Sequence, residues 1–215
     1  SNSTQIANID GNGLTVSNKD ATINSITVGK GANSVSDNTV LGLNALDAAV
    51  TGNFNTAIGK SALTANTSGG YNTAVGRQAL FNNTTGDNNT AVGPNGLVAN
   101  TTGTNNVAFG RNALTANTTA DDNSAVGKSA LAANTTGTQN TAVGKDALLT
   151  STTASENTSV GFESLKETTT GASNTAVGHQ CGTNNTTGTR NVAMGNTTLF
   201  YNTTGSDNTA IGRGA

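Results

Sequence analysis

The sequence is poor in the residues that build ordinary globular cores. Hydrophobic residues make up 33% of its 215 residues, aromatic residues make up 3%, and Trp is absent, whereas soluble domains contain about 45–50% apolar residues. Charged residues are only 10% and Pro94 is the sole proline, so the chain also lacks the high charge and proline content typical of disorder. A chain rich in Asn, Thr, Gly and Ala can be ordered if that order is repetitive.

Further absences exclude several classes of function. The net charge of −2 predicts no dedicated binding to nucleic acid. A single cysteine, Cys181, cannot form an intrachain disulfide framework. No run of about 18 apolar residues occurs, so we predict no membrane insertion. The chain opens at Ser1 without Met and stops within a repeat at Ala215, and we expect it to be a piece of a longer protein.

A strict internal repeat dominates the rest of the sequence. A glycine follows each tetrad of the Asn-Thr-Ala-Val type, and the interval between successive glycines is constant through eleven copies. Fixed spacing of this kind is typical of repeats that stack on their neighbours. The glycines stand at positions 42, 59, 76, 93, 110, 127, 144, 161, 178, 195 and 212.

Aligned copies contain two large apolar columns, which we predict to be the core. One column precedes the glycine, as Val75 does, and the other is Leu at the fourth position after it, with Gly182 as the single exception. Columns of small residues, represented by Ala74 and Ala79, lie beside them and indicate close approach to another backbone. Because one slim coil buries little apolar surface, we expect several chains to pack along these small-residue columns.

The local pattern favours strands and turns. Gly, Asn and Thr are weak helix formers, and the run 73–76 alternates as a short strand does. A second strand is predicted over 79–82, followed by an Asn-Thr-Thr-Gly turn with Gly86 at positive φ. We therefore predict an all-β fold, a parallel β-solenoid (β-roll) with one 17-residue coil per repeat, in which Asn72 and Asn83 begin a pattern of stacked amide ladders.

Three segments are expected along the chain. Residues 1–24 form a β lead-in or cap, because the turn sequence at 10–13, Asp-Gly-Asn-Gly, lies between apolar residues. Residues 25–41 are predicted to be a short first coil, since the interval from Gly29 to Gly42 falls short of a full repeat. Residues 42–215 are predicted to be the solenoid shaft.

The one pattern with a binding character is electrostatic. The position after the repeat glycine holds six of the ten basic residues, and stacking would align them as a stripe. Solubility and weak pairing with acids such as Asp87, Asp121, Asp122, Glu156 and Asp207 explain such a stripe most simply, whereas attraction to anionic surface glycans is the functional alternative. The possible surface-binding stripe comprises Lys60, Arg77, Arg111, Lys128, Lys145 and Arg213.

No residue pattern predicts catalysis, a metal site or a cofactor. His179 is the only histidine and has no partner set for a metal or a triad, so we interpret it as a solvated side chain. Cys181 stands in a small-residue column and is interpreted as a buried small apolar residue. We expect a protein that is not an enzyme.

The repeats resemble those of known fibrous proteins. The segment 27–42, with Thr-Val-Gly-Lys-Gly-Ala and Asn-Thr-Val-Leu-Gly, resembles the coil motif of trimeric autotransporter adhesin heads, which are left-handed parallel β-rolls. The longer unit, with Asn-Thr-Ala-Val-Gly, Ala-Leu and Asn-Thr-Thr-Gly, resembles repeats of bacteriophage tail fibres and virion spikes, and residues 23–215 fit that group better. The resemblance implies a homotrimer on a virion or extracellular surface, with other virion or fibre proteins as partners.

These expectations define the candidate functions. The first is a structural and adhesive shaft of a phage tail fibre or spike that extends toward the host surface and can bind its glycans. The alternatives are a bacterial surface adhesin and an ice-binding solenoid, the latter because Thr56, Thr73 and their equivalents would stack in a row. An ice-binding face must be flat and exposed, and Val107 and Val192 in that row indicate burial instead.

Overall fold

Fifteen short strands and the turns between them make up the computed structural model, which describes residues 7–10, 13–16, 21–23, 26–31, 35 and 37–215. These described residues contain no helix. The strands are β1 (Ala7–Asp10), β2 (Gly13–Val16), β3 (Ala21–Ile23), β4 (Ile26–Gly29), β5 (Thr39–Gly42), β6 (Thr56–Ile58), β7 (Thr73–Val75), β8 (Thr90–Val92), β9 (Val107–Phe109), β10 (Ser124–Val126), β11 (Thr141–Val143), β12 (Thr158–Val160), β13 (Thr175–Val177), β14 (Val192–Met194) and β15 (Thr209–Ile211).

The strands from β5 to β15 form one parallel sheet, in which each strand pairs with the strand of the next repeat. Thr73 pairs with Thr90 and Ala74 with Ala91, so the register step is one full repeat. Hydrogen bonds between coils continue outside the strands, as from Leu80 N to Gly96 O at 3.0 Å. The predicted parallel β-solenoid, with one coil per 17-residue repeat, is therefore confirmed.

The N-terminal strands run antiparallel. β1 and β2 pair with each other, with Asp10 opposite Gly13, and residues 11 and 12 of the predicted turn lie outside the described residues. β3 and β4 extend the long sheet in antiparallel fashion beyond β5. The prediction of a short first coil over 25–41 is wrong, because a coil would place β4 parallel to β5. β4 instead pairs antiparallel with β5, whereas β5 and β6 pair in parallel.

Residues with positive φ form the corners of each coil. In one coil these are Gly76 (φ 140°), Gln78 (57°), Leu80 (51°) and Asn88 (58°). The strand predicted over 79–82 is replaced by a turn, because left-handed residues at 78 and 80 interrupt any extended run. The prediction that Gly86 supplies the positive φ of the next turn is also wrong, since Asn88 supplies it.

The core is made of leucine and alanine rather than leucine and valine. Leu80, Ala74 and Ala79 are completely buried, as are most of their equivalents. The predicted core column represented by Val75 lies on the outside, because Val75 shares its strand face with Thr73 while Ala74 points inward. The coil interior is already occupied by one Leu and by Asn side chains, which favours small residues in this column, where Val40 of β5 is the largest.

Two buried columns of asparagine run along the interior, as predicted. In one column Asn72 N donates to Asn55 Oδ1 at 3.0 Å and Asn72 Nδ2 donates to Gly86 O at 2.9 Å. In the other, Asn83 Nδ2 donates to Asn66 Oδ1 at 2.9 Å. A buried polar group that lacks a partner costs about 1–3 kcal/mol, so the hydrogen bonds of these ladders offset the burial of the asparagines and define the stacking register.

The glycine corner generates a stability prediction. At Gly178 (φ 143°) a Cβ would lie 2.2 Å from Gly195 O, so Gly178→Ala combines a backbone clash with strain at positive φ and should reduce the free energy of unfolding by more than about 3 kcal/mol. At Gly212 (φ 123°) a Cβ would meet nothing within 4 Å, and Gly212→Ala should cost only the strain, about 1 kcal/mol. Denaturant unfolding followed by circular dichroism compares the two variants, and equal losses would contradict the role assigned to close stacking.

Candidate functional site

The most extensive candidate surface is the outer face of the parallel sheet, which we call the strand face. It consists of the two outward residues of each strand from β5 to β15, represented by Thr73 and Val75. One of its rows is the column before the glycine, and several members of that row are large and exposed, including Phe109 at 55% and Met194 at 44%. Its members are Leu41, Ile58, Val75, Val92, Phe109, Val126, Val143, Val160, Val177, Met194 and Ile211.

The threonine row of the strand face is also partly open to solvent. Val107 and Val192, which the sequence interpretation placed in a buried column, are 38% and 37% exposed, and Thr73 and Thr90 are half-buried. The inference of burial from these two valines is wrong, because β-branched apolar residues also suit the exposed face of a sheet. The strand face therefore presents a threonine row and an apolar row side by side.

The small-residue columns cannot serve as a contact between chains. Ala74 and Ala79 are fully enclosed within a single chain, so the expectation that copies pack along these columns is wrong. Their small size is required by the narrow interior of the coil. The large exposed residues of the strand face remain as the apolar surface through which copies of the chain could pack.

The predicted basic stripe exists as a row of exposed side chains. All six residues lie just after the glycine corner and are exposed, one coil apart wherever they are consecutive. Lys145 Nζ lies 2.8 Å from Asp146 Oδ2, and this hydrogen bond raises the pKa of Lys145. In the described part of the chain the other five have no carboxylate oxygen within 4.0 Å.

The acids expected to neutralise the stripe lie at a different corner. Asp87 Oδ1 accepts a hydrogen bond from Gly70 N at 2.7 Å, and Asp121 Oδ1 accepts one from Thr104 N at 2.6 Å. Asp207 pairs with Arg190 at 2.6 Å, and this contact lowers the pKa of Asp207. The predicted pairing with the stripe is therefore wrong, because these acids bind backbone amides or side chains of neighbouring coils at their own corner.

Aromatic rings interrupt the basic row in two consecutive coils. Phe162 and His179 occupy the same column, with ring centroids 5.2 Å apart and planes within 15°. Lys145, on the preceding coil, has its ammonium group 4.8 Å from the centroid of the Phe162 ring. Lys145 and His179 contact Phe162 from the two neighbouring coils, so we assign these contacts to stabilisation of coil stacking.

The two residues singled out for their chemistry have the environments that their sequence context predicted. Cys181 is fully buried, and burial raises the pKa of its thiol, which disfavours the reactive thiolate. His179 is exposed. Groups of three or more His, Cys, Asp or Glu side chains able to hold a metal ion do not occur in the described residues.

Comparisons with known proteins identify no relative of this chain. The chain matches no protein-family model, no curated protein and no solved structure. Within its described residues there is no helix with the length and apolar character needed to cross a membrane. The strand face and the basic row are accordingly the features on which a functional conclusion depends.

Proposed function

We propose that this chain is the structural shaft of a surface fibre, such as a phage tail fibre or spike, that extends toward a host surface and contributes to adhesion there. The observation that carries this proposal is the unbroken stack of coils of equal length from β5 to β15, joined by equivalent backbone hydrogen bonds at each step. Eleven strands at about 4.8 Å give a rod about 50 Å long. Because each coil contacts only its neighbours, the rod gains length without needing a larger core.

Self-association through the strand face is part of this proposal. The face is about 50 Å long and about 10 Å wide, so it covers roughly 500 Å², and one of its two rows is apolar along the whole length. None of its 22 positions holds a charged residue, and interface centres are depleted of charge in the same way. The occupant that we assign to it is another copy of this chain.

A threefold arrangement suits the dimensions of this face. A standard interface buries about 800 Å² on each partner, more than the strand face alone provides. Three copies around a common axis would also bring together the rows that flank the face, including the glycine corners. The shaft is therefore proposed to be a homotrimer with parallel chains, in which like rows of each copy face one another.

Adhesion is assigned to the basic row. Its side chains are exposed, and five of the six have no carboxylate neighbour in the described part of the chain, so their charge is available to an external partner. A line of positive charge raises the local concentration of anionic polymers and accelerates their encounter. Anionic surface glycans are the partners of matching chemistry, in keeping with a fibre that meets a host cell.

Ice binding is a second candidate, and the exposure of the threonine row favours it. Thr73, Thr90 and Thr141 lie on one regular sheet face at strand spacing, partly open to solvent. The protruding ring of Phe109, 55% exposed, interrupts the flatness that an ice surface requires. Contact with other chains accommodates such a projection more readily, and for this reason self-association is the proposal.

Self-association predicts the effect of charge on the strand face. Val126→Glu together with Val143→Glu should convert the oligomer to a monomer, because both side chains are exposed in the single chain and would place buried, unpaired carboxylates between copies. The mass in solution, measured by sedimentation equilibrium, checks this. The β signal in circular dichroism should persist, since neither residue belongs to the interior.

Thr136→Glu with Thr153→Glu is the matched control. These residues are exposed in consecutive coils at another corner, and the double variant should keep the mass of the wild type. A wild-type chain that is monomeric at all concentrations would contradict self-association. Thermal hysteresis in such a monomer, lost in the Val126→Glu and Val143→Glu variant, would favour ice binding.

The adhesion proposal predicts a dependence on the basic row and on salt. Arg111→Gln with Lys128→Gln removes two charges from adjacent coils and should weaken adsorption to anionic cell envelopes severalfold at low ionic strength, with a smaller difference at high salt. Lys166→Gln with Arg190→Gln removes the same charge from residues that are paired with acids elsewhere. Equal adsorption of both double variants would assign the effect to net charge and reject a role for the row.

A further inference from the structure

The second asparagine ladder has a regular bonding pattern in its first five coils. Asn100 Nδ2 donates to Asn83 Oδ1 at 2.8 Å and to Gly103 O at 2.9 Å, and Asn100 Oδ1 accepts from Asn117 Nδ2 at 2.8 Å. Each carboxamide inside the ladder therefore supplies two donated bonds and one accepted bond. The ladder comprises Asn66, Asn83, Asn100, Asn117 and Asn134.

This ladder is interrupted over two coils. Ser151 and Thr168 occupy the column, and asparagine resumes at Asn185. Asn134 Oδ1, Ser151 Oγ and Thr168 Oγ1 are all buried and have no hydrogen-bond partner among the described residues. These two substituting side chains are 0% exposed, so three orphaned oxygens lie in successive coils of a closed interior.

A backbone carbonyl beside the gap has also lost one of its usual donors. Gly103 O accepts from Asn100 Nδ2 and from Asn89 Nδ2, at 2.9 and 2.8 Å. Among the described side chains, Ala154 O, the equivalent atom in the coil of Ser151, accepts only from Asn140 Nδ2 at 2.8 Å. Hence the interior lacks the two donated bonds that a carboxamide at position 151 would have made.

We propose that the coil of Ser151 contains a binding site for one buried water molecule in place of the missing carboxamide. The water donates to Asn134 Oδ1 and to Ala154 O, and it accepts from the hydroxyl of Ser151. These three bonds satisfy two of the orphaned oxygens and the carbonyl together. Buried waters make about three such bonds, within a range of roughly two to four.

Serine at position 151 leaves unfilled the volume that an asparagine carboxamide occupies in the preceding coils. A serine side chain has two non-hydrogen atoms fewer than asparagine, and a water needs only about 10–15 Å³ of volume accessible to its centre. An apolar gap of this kind would stay dry, but the lining here is polar, which is the condition under which a cavity is hydrated. In an earlier coil the alanine at the turn is Ala120, and its carbonyl accepts a hydrogen bond from Asn117 Nδ2. An alanine at this position, such as Ala154, is therefore compatible with an asparagine in the ladder column.

The other ladder passes the gap without interruption. Asn157 N donates to Asn140 Oδ1 at 3.1 Å, and Asn174 N donates to Asn157 Oδ1 at 2.9 Å. Coil stacking is therefore intact on that side, and the missing bonds are confined to the column of Ser151. The inference depends only on these interior contacts and not on the proposed function of the shaft.

Two measurements test the water site. A high-resolution crystal structure of the full chain should show a density peak about 2.7–3.2 Å from both Asn134 Oδ1 and Ala154 O. In Ser151→Asn the peak should be replaced by the carboxamide, and amide hydrogen exchange in this coil should slow by about tenfold as the ladder is extended by one coil. Asn100→Ser is the converse variant, and it should create a second buried peak beside Gly103 O while amide exchange there accelerates.

Two outcomes would overturn the inference. One is a wild-type map without a peak in which the hydroxyls of Ser151 and Thr168 rotate to donate to carbonyl oxygens directly. The other is a Ser151→Asn variant that folds but retains the peak or leaves amide exchange unchanged. Either result would show that the gap is closed by the protein itself.

Discussion

The structure depends on carboxamide groups that hydrogen-bond from coil to coil inside a very slim chain. Each coil encloses one leucine and two small side chains, which is little apolar surface for the number of residues that a full repeat must order. The buried asparagines supply what the apolar core lacks, since each binds the neighbouring coil and also a carbonyl at a turn. A shift of register would leave these amides unpaired at a cost of about 1–3 kcal/mol each, so the ladders select one register and make the spacing of the repeat intolerant of insertion.

Periodicity predicted the solenoid, the length of its coil and both amide ladders, but it could not determine which face of the strand points inward. Alternation in Thr73-Ala74-Val75 identifies two faces without orienting them, and the usual preference for burying the larger apolar residue selected valine. The interior contradicts that preference because Leu80 and the asparagines already fill it. Lys60, Arg77 and Arg111 follow the glycine corner and are exposed, so their position does not depend on which face of the strand is buried.

The turns were the least predictable part of the coil. Leu80 adopts φ 51°, a left-handed conformation that costs a residue with a Cβ about 1–2 kcal/mol and that no propensity scale would assign to leucine. Complete burial of its side chain offsets this cost, and the same reasoning explains why Gly182, which adopts φ 60° without that strain, can replace leucine in one coil. Tertiary packing thus overrides local preference in every repeat, which is why a strand was expected over 79–82 and a turn was found.

The narrow interior of the coil and its apolar outer face are related, because each strand from β6 to β15 directs a small residue inward and a large apolar residue outward. The large apolar residues that precede the repeat glycines lie on the strand face and not inside the coil, so the proposed self-association would bury the larger part of the apolar surface that stabilises the fibre. Under this proposal the alanine–leucine interior is the minor core of each chain and the strand faces form the major core of the assembly. The proposed self-association would also account for the absence of charge from the face and for the placement of all six stripe residues beyond the glycine corner, because charged groups are costly to bury between copies.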